Sequence, residues 1–136
     1  EKGGNKTVLE GVPSALPAMV KAHRIQDKVR NVGFDWEEKE QVWDKVYEEF
    51  GELKEEISHM DTDKMEAEFG DLMFSIINAA RLYKINPENA LERTNQKFIR
   101  RFNYLEEHTI KQGRDLKSMS LAEMDEIWNE AKKHGL

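Results

Sequence analysis

The sequence contains no cysteine. A disulfide scaffold, thiolate zinc sites and thiol nucleophiles are therefore excluded, and a reducing compartment fits. Proline and glycine are sparse, three and eight in 136 residues, which argues against a sandwich of many short strands. No apolar run approaches the ~20 residues that span a bilayer, and no signal peptide is visible, so a membrane partner is not expected and the cytoplasm is the expected location. Positive charge is in deficit: 21 Lys and Arg stand against 27 Asp and Glu, a net charge of −6. Binding a nucleic-acid backbone calls for a basic surface, so nucleic acid is not an expected partner. An acidic protein that binds phosphates needs metal ions as intermediaries.

What is present is charge in helical register. Charged residues make up 35% and hydrophobic residues 38%, enough for one core with long solvated helix faces. Residues 1–13, with three glycines and a terminal proline, read as a flexible lead-in or linker; 14–136 read as one domain. The spacing predicts a first helix over Ala15–Val32, with Ser14 as N-cap and Gly33 as its end. A second is predicted over Glu37–His59, opened by an Asp35/Glu38 capping box and carrying Val42, Val46, Phe50, Leu53 and Ile57 as its buried stripe. A third, over Lys64–Lys84, has an Asp63/Glu66 box and the stripe Met65, Phe69, Leu72, Ile76, Ala80 and Tyr83. A fourth opens at Asn86-Pro87 and runs to Lys111, ending at Gly113, with Leu91, Thr94, Phe98, Phe102 and Leu105 inward. A fifth follows Ser120, boxed by Glu123. The fold class is all-α, a helical bundle.

One local echo carries chemistry. Glu49-Phe50-Gly51-Glu52-Leu53 is followed by Glu68-Phe69-Gly70-Asp71-Leu72. Each copy sets two carboxylates at i and i+3, neighbours on one helix face. At about 100° per residue, Glu49, Glu52 and Glu56 flank the second stripe, and Glu68, Asp71, Ser75 and Asn78 flank the third. Antiparallel packing would bring these flanks together at the rim. Converging carboxylates repel and call for a counter-ion, and oxygen ligands suit Mg²⁺ or Mn²⁺. The alternative is two ordinary solvated faces. Gly51 and Gly70, each mid-helix at ~1 kcal/mol relative to alanine, suggest close helix approach. On the fourth helix, Lys97, Arg101 and Tyr104 form a basic flank suited to phosphate or to salt bridges. Trp36 and Trp128 are candidates for stacking on a base or for packing. The four histidines show no metal-ligand spacing, and no Walker loop, G-x-S-x-G or G-x-G-x-x-G motif occurs.

At these residues the chain resembles a known family. Lys45-Val46-Tyr47-Glu48-Glu49-Phe50-Gly51-Glu52-Leu53, then Glu66-Ala67-Glu68-Phe69-Gly70-Asp71-Leu72, is similar to the E-E-x-x-E then E-x-x-D signature of MazG-type proteins. Val32 to Trp36, Asn78 to Leu82, Thr94 to Phe102 and Met124 to Trp128 extend the likeness. The resemblance implies an all-α nucleoside triphosphate pyrophosphohydrolase that gives monophosphate and pyrophosphate. It implies Mg²⁺ on Glu49, Glu52, Glu68 and Asp71, Lys97 and Arg101 on the triphosphate, and Trp128 near the nucleoside. Asn78 and Trp36 join them as substrate-contact candidates. It also implies a homodimer or higher homo-oligomer whose helices complete each site. The family's typical chain holds two tandem copies, and this one resembles the second, catalytic copy. The main rival reading is a non-catalytic acidic helical module that docks a protein partner; a di-iron bundle would want E-x-x-H pairs, which are absent.

Overall fold

The structure is a computed structural model that describes residues 7–36 and 38–136. Residues 1–6 of the expected lead-in and the expected helix start at Glu37 lie outside the described residues. Among those described the chain is all-α, without a strand: α1 (Ala18–Asn31), α2 (Lys39–His59), α3 (Thr62–Leu82), α4 (Pro87–Glu107) and α5 (Leu121–Lys133), with single 3₁₀ turns at Ile110–Gln112 and Leu116–Ser118. No helix among the described residues is long and apolar enough to cross a membrane. The chain divides into two compact units, one up to Glu88 and one over Asn89–Leu136.

The helix ends follow local hydrogen bonding more closely than the spacing rules suggest. α1 starts later than expected because Pro17 occupies its N-cap, while the Ser14 carbonyl accepts from Lys21 Nζ at 2.7 Å. After α1, Gly33 takes φ 101° and its N–H donates to the Arg30 carbonyl at 2.9 Å, a left-handed stop that costs glycine least. The Asp35/Glu38 box does not form. Glu38 itself caps α2 in a reciprocal pair with Gln41, because Asp35 is engaged by Arg30 and Arg81 instead. α3 is capped by Asp61, which accepts from the Lys64 N–H at 3.2 Å, in place of the expected Asp63. α4 opens at Pro87 as the sequence predicts, with Asn86 Oδ1 accepting from the Glu88 N–H at 2.9 Å. It ends at Glu107, earlier than expected, and Gly113 (φ 85°) closes the following 3₁₀ turn. The Ser120/Glu123 box of α5 forms as expected.

In the first unit, α2 and α3 join through Met60, held at φ 58°, and Asp61. So short a connection returns α3 antiparallel along α2: Trp43, near the start of α2, meets Tyr83, just past the end of α3 (Nε1 to Oη 2.9 Å). α1 also packs on α3. The core is Val42, Val46 and Ala79, with Leu72 and Leu82 packed against it. The buried face of α2 is Val42, Val46, Glu49 and Leu53: three residues of the expected stripe are there, while its Phe50 and Ile57 are exposed. On α3 the expected Phe69, Ile76 and Tyr83 are likewise exposed, and Ser75, Ile77, Ala79 and Arg81 are buried. Both helices carry apolar residues on two sides, and periodicity alone does not tell which side faces the chain's own core. The close approach expected at Gly51 and Gly70 is absent: a Cβ at either position would meet nothing within 4 Å.

In the second unit, Leu105, Met119 and Ala131 are buried, and Thr109 is fully enclosed with its Oγ1 donating to the Leu105 carbonyl at 2.7 Å. Phe98 meets Trp128 at a ring separation of 5.0 Å. Leu91, Thr94 and Phe98, expected to face inward, are exposed, whereas Leu105 is buried as expected.

Candidate metal centre

The α2/α3 seam brings the two carboxylate pairs together. One oxygen each from Glu49, Glu68 and Asp71 lie within 4.8 Å of one another. Glu52 is near enough for its negative charge to act on the Glu68 carboxyl, and it joins the acidic group. Glu49 sits deeper than the rim position expected of it: it takes a core position of α2 and is only 5% exposed. Its Oε1 is paired with Lys45 Nζ at 2.9 Å. Its Oε2 and the Glu68 Oε2 are both buried without a hydrogen-bond partner.

The electrostatics follow from this crowding. Burial pushes the Glu68 carboxyl above its usual range, and the negative charges of Glu52, Asp71 and Glu49 push it further. Hydrogen bonds to Glu49 and Glu48 hold the Lys45 ammonium above its ordinary value. Glu48 points to Lys45 at 3.1 Å. Two buried carboxylate oxygens left unsatisfied beside a third carboxylate are costly in a folded chain. A hard divalent cation satisfies such a donor set, and all-oxygen ligation fits Mg²⁺ or Mn²⁺.

A cavity of about 660 Å³ opens beside the cluster, lined by Glu49 and Asp71 together with Gln26, Trp36, Phe74 and Asn78. Two of the sequence-selected contact residues, Trp36 and Asn78, thus share a cavity with two of the carboxylates. Asn78 Oδ1 accepts from Arg81 Nε at 3.0 Å. Arg81, almost fully buried, also donates to Asp35 Oδ1 at 2.8 Å. Burial would raise the Asp35 carboxyl, but hydrogen bonds from Arg81 and the Trp36 N–H, together with the Arg81 charge, hold it below its ordinary value.

The remaining selected residues belong to the second unit. Lys97 lines a surface depression with Arg93 and Arg100. Arg101 points elsewhere, its Nε donating to the Leu136 carbonyl at 2.8 Å, and Tyr104 donates to Glu130. Lys97 and Arg101, set on one flank by helical spacing, therefore have separate surroundings. The sequence reading passed over three polar residues of the first unit: Gln26, Lys45 and Arg81. Lys45 carried a signal, a lysine four residues before Glu49 on the same face. Gln26 carried a weaker one, a polar residue among the apolar Ile25 and Val29 of α1.

The chain matches the MazG nucleotide pyrophosphohydrolase domain over residues 37–105. It is 41% identical over 133 residues, 97% of its length, to a nucleoside triphosphate pyrophosphohydrolase/pyrophosphatase MazG of Thermotoga maritima, of which it covers 51%. It is 39% identical over 129 residues to a nucleoside triphosphate pyrophosphohydrolase of Escherichia coli K12, of which it covers 49%. An uncharacterized Bacillus subtilis protein, YabN, shares 55% over 69 residues. The chain thus spans about half the length of the two pyrophosphohydrolases it matches.

Proposed function

Because the chain belongs to the MazG nucleotide pyrophosphohydrolase family, we propose that it hydrolyses nucleoside triphosphates to the monophosphate and pyrophosphate. In this reading Glu49, Glu52, Glu68 and Asp71 hold Mg²⁺, with Mn²⁺ as a substitute, in a cytoplasmic enzyme. One observation carries it: two buried carboxylate oxygens, on Glu49 and Glu68, stand unpartnered within a converging acidic group at the edge of a nucleotide-sized cavity. When bound, the ion supplies charge neutralisation for phosphate oxygens and activation of water.

The chain's own residues do the rest. Lys45 fixes one oxygen of Glu49 and leaves the other free for the ion. Arg81 holds the Asn78 side chain by its Oδ1 at the cavity wall. Trp36 offers an aromatic surface there. The roles of Lys97 and Arg101 on the triphosphate and of Trp128 near the nucleoside rest on the likeness of their segments to the family. A homodimer completes the reading. Trp43, Tyr47 and Phe50 on α2 and Phe69, Met73 and Ile76 on α3 are exposed large apolar residues, a face of the kind that a second copy covers.

Product analysis tests this. With Mg²⁺ the expected products are monophosphate and pyrophosphate, not diphosphate and phosphate. Asp71 and Glu52 are exposed, so either one changed to alanine should keep the fold and lose ~100-fold or more of the turnover. Full Mg²⁺-dependent pyrophosphate release by such a variant removes the site from consideration.

A further inference from the structure

We infer that Asp35 is a positioning residue for nucleotide binding: its carboxylate ties the Trp36 backbone to Arg81, and through Arg81 to Asn78, so that two residues lining the cavity are held as one unit. The inference rests on the nucleotide reading above. It concerns the binding of substrate and not the carboxylates that hold the ion: the partners of Asp35 are Arg30, Arg81 and the Trp36 N–H.

The run of hydrogen bonds is continuous. Asp35 Oδ1 accepts from the Trp36 N–H at 2.9 Å and from Arg81 Nη2 at 2.8 Å. The same Nη2 donates to Asn78 Oδ1 at 2.8 Å, and Arg81 Nε donates there at 3.0 Å. Asn78 and Arg81 are neighbours one turn apart on α3. Asp35 stands 46 residues before Arg81, in the segment between α1 and α2. The link therefore joins an irregular segment to a regular helix. Packing does little to hold that segment: Phe34 is 77% exposed and Trp36 42%. Asp35, Trp36 and Arg81 line both the 660 Å³ cavity and a second one of about 470 Å³, so the segment meets open space in both. Hydrogen bonds are left to fix it. The Arg81 side chain is only 6% exposed, and a guanidinium so enclosed keeps its acceptors because water is not there to replace them. Fixing a contact residue before the ligand arrives removes an ordering cost from binding.

The test uses the whole chain, Mg²⁺ and α,β-methylene-ATP, which keeps the triphosphate and resists cleavage between the α and β phosphates. Asp35→Ala should weaken binding of this analogue roughly 10-fold. It should raise KM for hydrolysable triphosphates by about the same factor, with kcat within about 2-fold. Asp35→Asn keeps an oxygen acceptor for Arg81 and the Trp36 N–H and should recover most of the loss. An ion pair that only stabilised the fold would act independently of Trp36. Positioning predicts the reverse: in a Trp36→Ala background, Asp35→Ala should weaken binding by no more than about 3-fold further. Nitrogen-15 relaxation reads the same link without a ligand. The order parameter of the Trp36 amide should fall from about 0.85 to below about 0.6 in Asp35→Ala, with the Val46 and Ala79 amides unchanged. Should that variant fail to fold, Arg81→Lys, which keeps the charge and loses the planar fork, takes its place in each measurement. Unchanged affinity, losses that add to those of Trp36→Ala, or a Trp36 amide that stays rigid overturns the assignment. Failure of the unaltered chain to bind the analogue or to hydrolyse any nucleoside triphosphate defeats the hydrolase reading instead. The Trp36 amide then decides by itself whether Asp35 fixes the segment.

Discussion

The first unit contains two charged groups with opposite surroundings. Arg81 is matched: Asp35 and Asn78 accept its hydrogen bonds within 3.0 Å. Asp35→Ala removes one of these acceptors from a buried guanidinium and should cost about 1–3 kcal/mol at neutral pH, read by denaturant unfolding. The pH dependence has a definite sign. The Asp35 carboxyl is held below its ordinary value of 3.8, so the folded chain binds fewer protons there than the unfolded one. Its stabilisation is present above that ordinary value and is lost as pH falls through the lowered folded value. The stability gap between the unaltered chain and Asp35→Ala should therefore close under acid. A gap that stays constant to pH ~2 would show that the carboxylate charge is irrelevant. Glu68 is the unmatched case, raised by burial and by three neighbouring carboxylates. Glu68→Gln relieves that repulsion, so the metal-free protein should melt at higher temperature. The same variant should lose most of the Mg²⁺-induced rise in melting temperature that the unaltered chain gains by linkage. A variant that melts lower without Mg²⁺ and keeps the full Mg²⁺ rise would mean the carboxylates are not crowded around an ion site.

Gly51 is a helix-interior glycine that faces open space. With no close approach to protect, Gly51→Ala should stabilise α2 by about 1 kcal/mol, visible as a higher melting temperature. A loss of stability there would mean that something packs on that backbone after all. The prediction also marks where the sequence was legible. Helix identity and order were readable, because apolar spacing, Asn86-Pro87 and the Ser120/Glu123 box are local signals. The acidic pairs were readable as a group for the same reason, each being one helical turn of one element. The orientation of α2 was legible only in part. Val42, Val46 and Leu53 share one side with Glu49, while Trp43, Tyr47 and Phe50 occupy another. Both patterns satisfy helical periodicity, and only packing against α3 chooses between them. The expected stripe held the buried Val42, Val46 and Leu53 but drew in Phe50 and Ile57, which are exposed, and so left Glu49 on the rim instead of in the seam. Gln26 and Arg81 were missed because their partners, Phe74 and Asp35, are more than 40 residues distant in sequence.

That second side of α2, with its counterpart on α3, belongs to the scale of the whole molecule. Phe50 is 50% exposed and Phe69 47%. Trp43 and Tyr83 tie the two helices at one end of the face, their rings 6.4 Å apart. Single exposed apolar residues are ordinary, but a face built from aromatic residues of two adjacent helices is not. Aromatic side chains are also those that concentrate binding energy in protein interfaces. If a second copy covers it, each Phe buried gains about 1.5–3 kcal/mol. Stability then depends on concentration, because dimerisation pulls the folded state by mass action. The unaltered chain should sediment as a dimer, and its melting temperature should rise with protein concentration. Phe50→Glu sets a charge in the middle of that face and should yield monomers with the helix content unchanged, since the side chain is outside the Val42, Val46 and Ala79 core. The carboxylates stand on the opposite side of α2 from Phe50 only in part: Glu49 and Glu52 are its near neighbours along the helix. Covering the face would therefore also shield the acidic group from water and strengthen its hold on a cation. The monomeric variant should accordingly need more Mg²⁺ for half-maximal thermal stabilisation than the dimer. Equal Mg²⁺ requirements in dimer and monomer would separate the interface from the metal centre and leave the apolar face to some other partner.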